Sequence, residues 1–522
     1  MSPAIYCGPS LDRPIPQVTI PEFIRQSARQ HPDHLALIDA ISGRSYSYDD
    51  LDRLIGRFAA GLVANNFALG DTILMFSPNL IEWPIVALGA LVAGGVVSGA
   101  NPGYSVADLA HQMQDSGAKF IFTVPELLSC AREASAQTDC KTIIVLGDVP
   151  DSVGYASIIA CQDSEPVVAL DTNALAALPY SSGTTGLPKG VMLTHANLVS
   201  NVCQFLQANA WDRTDVMLAV LPMFHIYGFT VSTLGTLACG GTLVTLARFQ
   251  PETFLGAIQT YRVSRLNLVP PLIQFLAKHP LVDSYDLSSV KIAGSGAAPL
   301  GAEVQELAAR RLQRPISQGL GMTEASGVLA SSYPGRIRQG SCGQLLPATQ
   351  ARIVDPVSMQ DVPTGTAGEF WFKGPQAFKG YFNQPNASAA TITSDAWVRS
   401  GDVGYFDEDG FLYITDRIKE LIKVKGFQVA PAELEALLFT HPAVADVAVI
   451  GRNDERSGEI PVAYIVSRSE FDPEEIKAWL AERVLEYKKI GAVIRCDAIP
   501  KTASGKILRR VLRELDASRA PD

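Results

Sequence analysis

Paired cysteines are missing from this sequence. Its eight cysteines lie far apart without a C-x-x-C pair, which indicates reduced thiols and excludes a zinc ribbon or a disulfide framework. A surplus of basic residues is also missing, because 53 acidic against 43 basic side chains give a net charge of −10. This balance argues against a nucleic-acid-binding protein, although local cations can still bind a phosphate.

Targeting and membrane signals are missing as well. The first residues, MSPAIYCGPSLDRP, lack the basic-then-apolar order of a secretory signal, and the last, ASRAPD, form no peroxisomal or prenylation motif. The longest apolar run, residues 84–97, is too short for a bilayer and rich in Gly and Ala, so we expect a buried helix. We therefore expect a cytoplasmic protein without a membrane span.

Several common catalytic motifs are incomplete or absent. A phosphate-binding loop of the form G-x-x-x-x-G-K-[ST] that began at Gly183 would need a second glycine where Pro188 stands. Residues 293–301, AGSGAAPLG, do not form a dinucleotide fingerprint, because Pro299 takes the third glycine position. The sequence has no G-x-S-x-G or H-E-x-x-H motif, so a hydrolase or a kinase is poorly supported.

What is present is a globular composition, 47% hydrophobic and 18% charged, in a chain too long for one core. We expect at least two domains and up to four lobes. Helical and strand-like runs alternate, which predicts an α/β architecture with largely parallel sheets. The clearest runs are a helix at 47–66 and strands at 71–78, 119–124, 141–147, 241–247 and 264–270.

The pattern changes past about residue 340. Short strands separated by Gly, Pro and Asp predict a small barrel or sheet. After Asp416 the pattern becomes α+β: a strand in ELIKVKG, a helix in PAELEALLFTHP, strands in VADVAVIGR and PVAYIVS, and a helix in PEEIKAWLAERVL. We place the domain boundary near 416–419, giving domains 1–416 and 417–522.

The stretch YSSGTTGLPKG, residues 180–190, combines four Ser/Thr hydroxyls, three glycines and Lys189. Glycines let backbone N–H groups approach a ligand, and hydroxyls with a lysine complete a cradle for an anion such as phosphate. A solvent-exposed turn is the alternative.

With its continuation, YSSGTTGLPKGV resembles the signature loop of the adenylate-forming enzymes, which include acyl-CoA synthetases, luciferases and peptide-synthetase adenylation domains. Its residues TTGLPKGV are most similar to those of the 4-coumarate–CoA ligase-like branch. Six further blocks follow in the family's order: LPMFHIYG (221–228), SGAAPLG (295–301), QGLGMTE (318–324), RSGD (399–402), DRIKELIKVKGFQVAPAELE (416–435) and PKTASGKILRR (500–510). The resemblance spans about residues 20 to 510.

This resemblance implies an AMP-forming carboxylate–CoA ligase whose cofactors and substrates are ATP, Mg²⁺, coenzyme A and a small carboxylic acid. It implies an α/β fold: a large multi-lobed N-terminal domain, with two helix-covered sheets and a small β-barrel, and a small mobile α+β C-terminal domain. An enzyme that hands its adenylate to a carrier protein, luciferase-like oxidation and a non-catalytic nucleotide sensor remain alternatives. A homo-oligomer also remains open.

The resemblance also implies a set of nucleotide contacts. A cradle for the β- and γ-phosphates is expected from Ser181, Ser182, Gly183, Thr184, Thr185 and Lys189. Gln318 and Gly319 belong to the nucleotide site, Thr323 to the α-phosphate, Glu324 to magnesium, and Asp402 with Arg417 to the ribose. Leu320 replaces the family's usual adenine-stacking aromatic residue.

The basic residues after Arg417 are expected to act in turn. If ELIKVK is a strand, Lys423 and Lys425 share one face, which by itself also fits a solvent-exposed strand. The resemblance implies a hinge at Lys419, adenylate contacts from Lys423 and Gln428, and a coenzyme A tunnel at Lys425 and Gly426. Lys506 is the implied catalytic lysine. We predict that the small domain rotates, presenting Lys506 for adenylation and residues 423–428 for thioester formation.

The acyl side is expected around His225, which alone would be read as a packed structural histidine. Candidate pocket residues implied by the resemblance are Tyr227, Gly294, Ala297, Gly319 and Ser331, and Arg248 is a candidate for a coenzyme A phosphate. Coumarate ligases often carry lysine where Gly294 stands, which predicts a roomier or more apolar pocket for medium-chain or aryl acids. The block PMFHIYGF has no aspartate for an α-ammonium group, which disfavours an amino-acid substrate.

Overall fold

A computed structural model describes residues 5–181, 188–425, 427–454, 456–502 and 505–519. The first half of the chain is built around a seven-stranded sheet, parallel except at one edge. In spatial order its strands are Leu193–Thr194, Leu175–Ala177, Val96–Gly99, Thr72–Phe76, Ala118–Thr123, Thr142–Val145 and Val153–Gly154. All five residues of Thr72–Phe76 are buried, as expected for a central strand covered on both faces.

A nine-stranded sheet follows, parallel in its centre and antiparallel at its ends. Its order is Gln344–Leu345, Gly327–Ser331, Ile316–Met322, Ile292–Ser295, Arg265–Leu268, Val216–Ala219, Thr242–Thr245, Leu35–Asp39 and Ser45–Ser47. The loops after Ile292–Ser295 and Ile316–Met322 leave the carboxyl ends of neighbouring strands. Open α/β sheets bind their ligands at this edge.

Helices cover both sheets. They are Ile20–Gln30, Tyr48–Ala64, Trp83–Val92, Val106–Ser116, Leu128–Ala136, Tyr155–Ile159, His195–Asn209, Gly235–Ala238, Pro251–Thr260, Pro270–Lys278, Ala302–Leu312 and Pro385–Thr391, with 3₁₀ turns at Pro125–Leu127, Pro280–Ser284 and Thr323–Ala325 and a π-helix at Tyr227–Leu234. The helix expected at 47–66 begins after a capping box, in which the Ser47 hydroxyl accepts from the Asp50 N–H at 3.1 Å. Trp83–Val92 is the buried helix expected within 84–97. In the described part of the chain, no helix combines the length and apolarity needed to cross a membrane.

The segment expected to form a barrel or sheet is a five-stranded antiparallel sheet. Its strands run in the order Tyr6–Cys7, Gln350–Val354, Gly368–Lys373, Val398–Phe406 and Leu412–Arg417. The last strand ends at Arg417, and a turn over residues 418–420, which we call the hinge turn, leads into the last part of the chain.

The C-terminal part is α+β, as predicted. Its strands are Ile422–Val424, Phe427–Val429, Val444–Asp454, Gly458–Ser467 and Ala492–Arg495, and its helices are Pro431–Leu438, Pro473–Ala481 and Arg509–Ala517, with a 3₁₀ turn at Glu486–Lys488. Leu434 and Leu438, on one face of the predicted helix, are fully buried in the hydrophobic core of this part. We call these residues the small unit and the remainder the large unit.

Candidate active site

A short hairpin fixes the two ends of the glycine- and hydroxyl-rich loop. Tyr180–Ser181 pairs with Lys189–Gly190, so that Ser181 lies opposite Lys189. The Tyr180 hydroxyl donates to Asp115 at 2.5 Å, which ties this hairpin to the helix Val106–Ser116. The loop between the strands carries four predicted phosphate contacts, which lie outside the described residues: Ser182, Gly183, Thr184 and Thr185.

Glu324 lies beside this hairpin and is 7% exposed. Its Oε1 accepts hydrogen bonds from the Ser181 hydroxyl at 3.2 Å and from the Tyr381 hydroxyl at 2.8 Å. Lys189 Nζ lies 5.2 Å from the centre of the Tyr381 ring. Burial is the main cause that raises the pKa of Tyr381, and the negative charge of Glu324 is the second cause. The phenol therefore stays protonated and donates its hydrogen bond to Glu324.

Sequence reasoning missed Tyr381. It stands in KGYFN, a turn that resembles none of the chemical motifs, and it reaches the site through a bridge to Val191 almost two hundred residues earlier. An aromatic residue next to a glycine was the single local signal, and it does not indicate a contact with a carboxylate.

The donor set fits magnesium held jointly with a nucleotide. Within the described ranges, no three His, Cys, Asp or Glu side chains gather into a cluster that would hold a metal by themselves. Magnesium is commonly held by one or two carboxylates plus phosphate oxygens and water. Glu324, oriented by Ser181 and Tyr381, supplies such a carboxylate next to Lys189.

The strand Ile316–Met322 carries the remaining residues of the QGLGMTE block, and Thr323 follows it at the start of a 3₁₀ turn. The Gln318 side chain is hydrogen-bonded to the loop after the neighbouring strand Ile292–Ser295 and to the helix that follows this loop. It donates to the Leu300 carbonyl at 3.2 Å and to Gln305 at 2.8 Å, and it accepts from the Leu300 N–H at 3.2 Å. Gln318 therefore holds this loop in place with its side chain. Leu320 is partly buried against the main hydrophobic core.

Asp402 and Arg417 meet as the sequence predicted. They are directly opposite in the antiparallel pair of strands Val398–Phe406 and Leu412–Arg417, with Arg417 Nε 3.0 Å from Asp402 Oδ1. Asp402 is 4% exposed, and its charge is the main reason that the pKa of Arg417 is raised. The pair places a fixed carboxylate and a fixed cation at the end of the large unit's antiparallel sheet.

Lys506 reaches this corner from the small unit. It lies on a hairpin closed by the bridge between Lys501 and Ile507, which we call the Lys506 hairpin, and its N–H donates to the Thr502 hydroxyl at 3.1 Å. Gly505 has a φ of +80°, and a Cβ there would lie 3.5 Å from Val269 of the large unit. Burial is the main cause that lowers the pKa of Lys506, to about 8, and the positive charge of Arg417 is the second cause.

His225 faces the same space. Burial is the main cause that lowers the pKa of His225, to about 4, and the positive charge of Lys506 is the second cause. The imidazole is therefore neutral at physiological pH. Its Nδ1 accepts the Tyr227 N–H at 3.2 Å, at the start of the π-helix Tyr227–Leu234. Such π-turns are frequent at functional sites. The sequence pattern did not predict this one.

The other basic hairpin of the small unit lies away from this corner. Lys423 and Gln428 are opposite each other on the strands Ile422–Val424 and Phe427–Val429, and both side chains are exposed. Lys419 is exposed within the hinge turn. The structure therefore brings Lys506 together with Asp402, Arg417 and His225, but it does not bring Lys423 or Gln428 there.

One detail of the predicted strand is wrong. Lys423 does face away from Ile422 and Val424, which are 1% and 5% exposed. Lys425, however, has left the strand: it has a φ of +50°, and its N–H donates to the Ser457 carbonyl. A two-residue hairpin turn requires positive φ where a continuous strand does not allow it, which explains the difference. Gly426 lies outside the described residues.

The predicted acyl pocket lies on one face of the nine-stranded sheet. Gly294 is paired with Asn267 and Ser317, and a Cβ at Gly294 would lie 3.3 Å from Ser317 Oγ and 3.6 Å from Asn267 Oδ1. The Asn267 amide donates to Ser232 at 3.3 Å. A Cβ at Gly294 would therefore meet polar atoms, and the prediction of a roomier or more apolar pocket stays a prediction.

The rest of the pocket set surrounds this face. A Cβ at Gly296 would lie 2.9 Å from the Tyr227 ring, so the ring packs directly on the backbone. Gly319 lies opposite Ser331, whose hydroxyl donates to Asn209 at 3.1 Å. Ala297 is exposed, with a φ of +66°.

Arg248, the candidate contact for a coenzyme A phosphate, is exposed on the large unit, just after the strand Thr242–Thr245.

A large α/β unit with a glycine- and hydroxyl-rich loop, followed by a small α+β unit, is typical of one class of enzyme, the nucleotide-binding enzymes. The AMP-binding enzyme family matches residues 24–382, and its C-terminal domain matches residues 433–506. A 4-coumarate–CoA ligase of Pinus taeda is 42% identical over 494 residues, covering 92% of each chain.

Two solved structures have the same fold over nearly the whole chain. ATP-bound MatB from Rhodopseudomonas palustris is 29% identical, with a TM-score of 0.88, and the match covers 96% of this chain and 99% of that one. The o-succinylbenzoate CoA synthetase of Bacillus subtilis, in complex with its acyl-adenylate, is 27% identical, with a TM-score of 0.84, and the match covers 96% and 98%. The chain belongs to the AMP-binding enzyme family and is an ATP-dependent, AMP-forming acid–thiol ligase.

Proposed function

We propose that this ligase activates an aryl or cinnamic-type carboxylic acid with ATP and Mg²⁺ and transfers the acyl group to coenzyme A. The 42% identity to a 4-coumarate–CoA ligase supports an aromatic acid. The polar wall formed by Asn267 and Ser317 beside Gly294 supports an acid with a hydrogen-bonding group at its far end, and it disfavours a plain fatty acid.

The observation that carries this proposal is the position of Lys506 next to Arg417, Asp402 and His225. In the first step the substrate carboxylate attacks the α-phosphorus of ATP; a C–O–P bond forms, the bond to the β-phosphate breaks, and pyrophosphate leaves. Lys506 offsets the negative charge that builds between the two substrates. In the second step the sulfur of coenzyme A attacks the acyl carbonyl, its proton goes to solvent, and AMP leaves.

The other predicted residues take roles around these atoms. The phosphates are held by Lys189, Ser181 and the intervening Ser182, Gly183, Thr184 and Thr185, with Thr323 at the α-phosphate. Glu324 would hold Mg²⁺, which would supply positive charge at the phosphates, and Asp402 would bind the ribose. We revise the role of Gln318: through its hydrogen bonds to Leu300, its amide positions the loop that follows the strand Ile292–Ser295. His225, Tyr227, Gly294, Ala297, Gly319 and Ser331 surround the acyl group.

We further propose that the chain divides into domains 1–416 and 417–522, which rotate about Lys419. Lys423 and Gln428 lie on an exposed hairpin while Lys506 occupies the site, which supports alternation because both hairpins belong to one small unit. Rotation brings Lys423, Gln428, Lys425 and Gly426 to the adenylate for thioester formation, with Arg248 at a coenzyme A phosphate.

A cytoplasmic location is part of the proposal. All eight cysteines are free in the structure, as expected for a protein kept in a reducing compartment.

The test is a screen for pyrophosphate release with ATP and Mg²⁺ over 4-coumarate, benzoates and C4–C16 fatty acids. Thioester formation is followed separately with coenzyme A and with a phosphopantetheinyl carrier protein. We expect release that depends on an aryl or cinnamic acid, and transfer to free coenzyme A. Transfer to the carrier alone, or a preference for long fatty acids, would contradict the proposal.

A further inference from the structure

A buried ion cluster ties the hinge turn to the helix that follows the Lys506 hairpin. Arg509 is the first residue of the C-terminal helix Arg509–Ala517, three positions after Lys506. Its side chain is 11% exposed and faces two carboxylates. Arg509 Nη1 lies 3.1 Å from Glu420 Oε2, and Arg509 Nη2 donates to Glu435 Oε1 at 2.6 Å.

The two carboxylates occupy different places in the fold. Glu435 lies on the helix Pro431–Leu438 and accepts the Val449 N–H at 2.8 Å, while Arg509 Nε donates to the Val449 carbonyl at 3.1 Å. This half of the cluster lies wholly within the small unit. Glu420 lies in the hinge turn and is 8% exposed.

The hinge turn is closed on the large unit by backbone hydrogen bonds. The N–H groups of Glu420 and Leu421 both donate to the carbonyl of Arg417, at 2.9 and 3.1 Å. Arg417 in turn holds Asp402 at 3.0 Å. A continuous path therefore runs from Asp402 through Arg417 and the closed hinge turn to Glu420 and Arg509, and then to Lys506.

We infer that Arg509 is a positioning residue for Lys506, and that its ion pair with Glu420 holds the hinge turn in the conformation that adenylation requires. The inference rests on the proposed function, because it assigns Lys506 to the first half-reaction. When Glu420 is held, the turn stays folded on Arg417, and the Lys506 hairpin stays docked against Val269. When Glu420 is released, the hinge turn can open, and the docked arrangement loses its free-energy advantage over the rotated arrangement.

The chain supplies matched controls. Glu435→Gln removes a carboxylate from the same arginine but leaves the hinge turn paired. Asp516→Asn breaks a partly buried ion pair of the same helix that does not involve the hinge turn, in which Arg452 donates to Asp516 at 2.6 Å. A merely structural role of the cluster predicts equal effects from all these changes.

The experiment measures the two half-reactions separately, with the acid that turns over fastest in the screen. Adenylate formation is followed as pyrophosphate release without coenzyme A, and transfer is followed from pre-made acyl-adenylate with coenzyme A. For Glu420→Gln and Arg509→Lys we expect adenylate formation to slow by about ten- to hundredfold, because small displacements of a reacting group cost that much. We expect transfer to change less than about twofold in the same variants.

For Glu435→Gln and Asp516→Asn we expect lower thermal stability without such a split. Equal slowing of both half-reactions in Glu420→Gln, an unchanged first half-reaction, or the same split in Glu435→Gln would each overturn the inference. If Arg509→Lys does not fold, Glu420→Gln decides alone, because its amide has nearly the same shape as the carboxylate. Absence of acid-dependent pyrophosphate release from the unmodified enzyme would instead contradict the proposed function.

Discussion

The small unit carries two basic hairpins of similar size, and their surroundings differ. The Lys506 hairpin is docked on the large unit, where burial and Arg417 lower the pKa of its lysine. The hairpin of Lys423 and Gln428 exposes these two side chains to solvent. The protonation of a lysine on a hairpin thus depends on the surface against which the hairpin is docked, and the sequence alone does not give it.

The largest effect expected from this difference is that of Lys506→Ala. Loss of the cation beside the α-phosphorus should slow adenylate formation by about 10²–10³-fold, as removal of one transition-state donor commonly does. Pyrophosphate release measures this step, and transfer from pre-made adenylate should remain near normal. Lys501→Ala is the control, because this lysine lies on the same hairpin but pairs with Asp446. Equal loss of both half-reactions in Lys506→Ala would remove the contrast between the hairpins.

The complementary change is Lys423→Ala, with a smaller effect on the opposite step. We expect thioester formation from pre-made adenylate to slow by about tenfold, the effect of losing one positioning contact. Pyrophosphate release without coenzyme A should be unchanged, since this side chain is exposed while Lys506 is docked. Lys477→Ala, a half-buried lysine of the same unit that pairs with Glu474, serves as the reference. A defect in pyrophosphate release would show that Lys423 acts in both arrangements.

Titration of the docked lysine sharpens the comparison. Because the pKa of Lys506 is lowered to about 8, its ammonium is charged below that pH and neutral above it. In the proposed mechanism adenylation needs this charge, so kcat/KM for ATP should be level below pH 8 and fall about tenfold per pH unit well above it. Lys506→Arg keeps its charge over the range, so the alkaline fall should disappear. A fall of unchanged position in this variant would assign it to another group.

The smallest effect is expected at the fixed side of the site, from Tyr381→Phe. This change removes the hydroxyl that donates to Glu324 at 2.8 Å and leaves the Ser181 hydrogen bond in place. The Mg²⁺ concentration for half-maximal pyrophosphate release should rise by up to about tenfold, as for other groups that orient a metal ligand. Tyr261→Phe is the control, because the Tyr261 hydroxyl donates to the Ala40 carbonyl elsewhere in the molecule. This change should leave the Mg²⁺ requirement unchanged. An unaltered Mg²⁺ requirement in Tyr381→Phe would separate Glu324 from the metal.

Much of the fold could be predicted, because local patterns decide it. The helical pattern at 47–66 predicted the helix Tyr48–Ala64, and the strand predicted at 71–78, with four consecutive apolar residues at 73–76, is the buried strand Thr72–Phe76. The Asp402–Arg417 pair was also predicted, since both residues stand in blocks of known order. Tyr381 was not predicted, because a bridge to Val191, distant in sequence, brings it to the site. The hydrogen bonds of Gln318 to Leu300 were not predicted either, because they depend on how a loop packs against the neighbouring strand.

By itself the sequence determined the alternation of helices and strands, the late change to a small α+β unit, and the presence of the hydroxyl- and glycine-rich loop that is proposed to bind a triphosphate. Periodicity and residue chemistry are local properties, so they can be read without knowledge of neighbours. Tertiary structure alone decided that Lys506 rather than Lys423 lies beside Asp402 and Arg417, and that a polar wall faces Gly294. Burial and the proximity of charges depend on which surfaces pack together, and no local pattern encodes that packing.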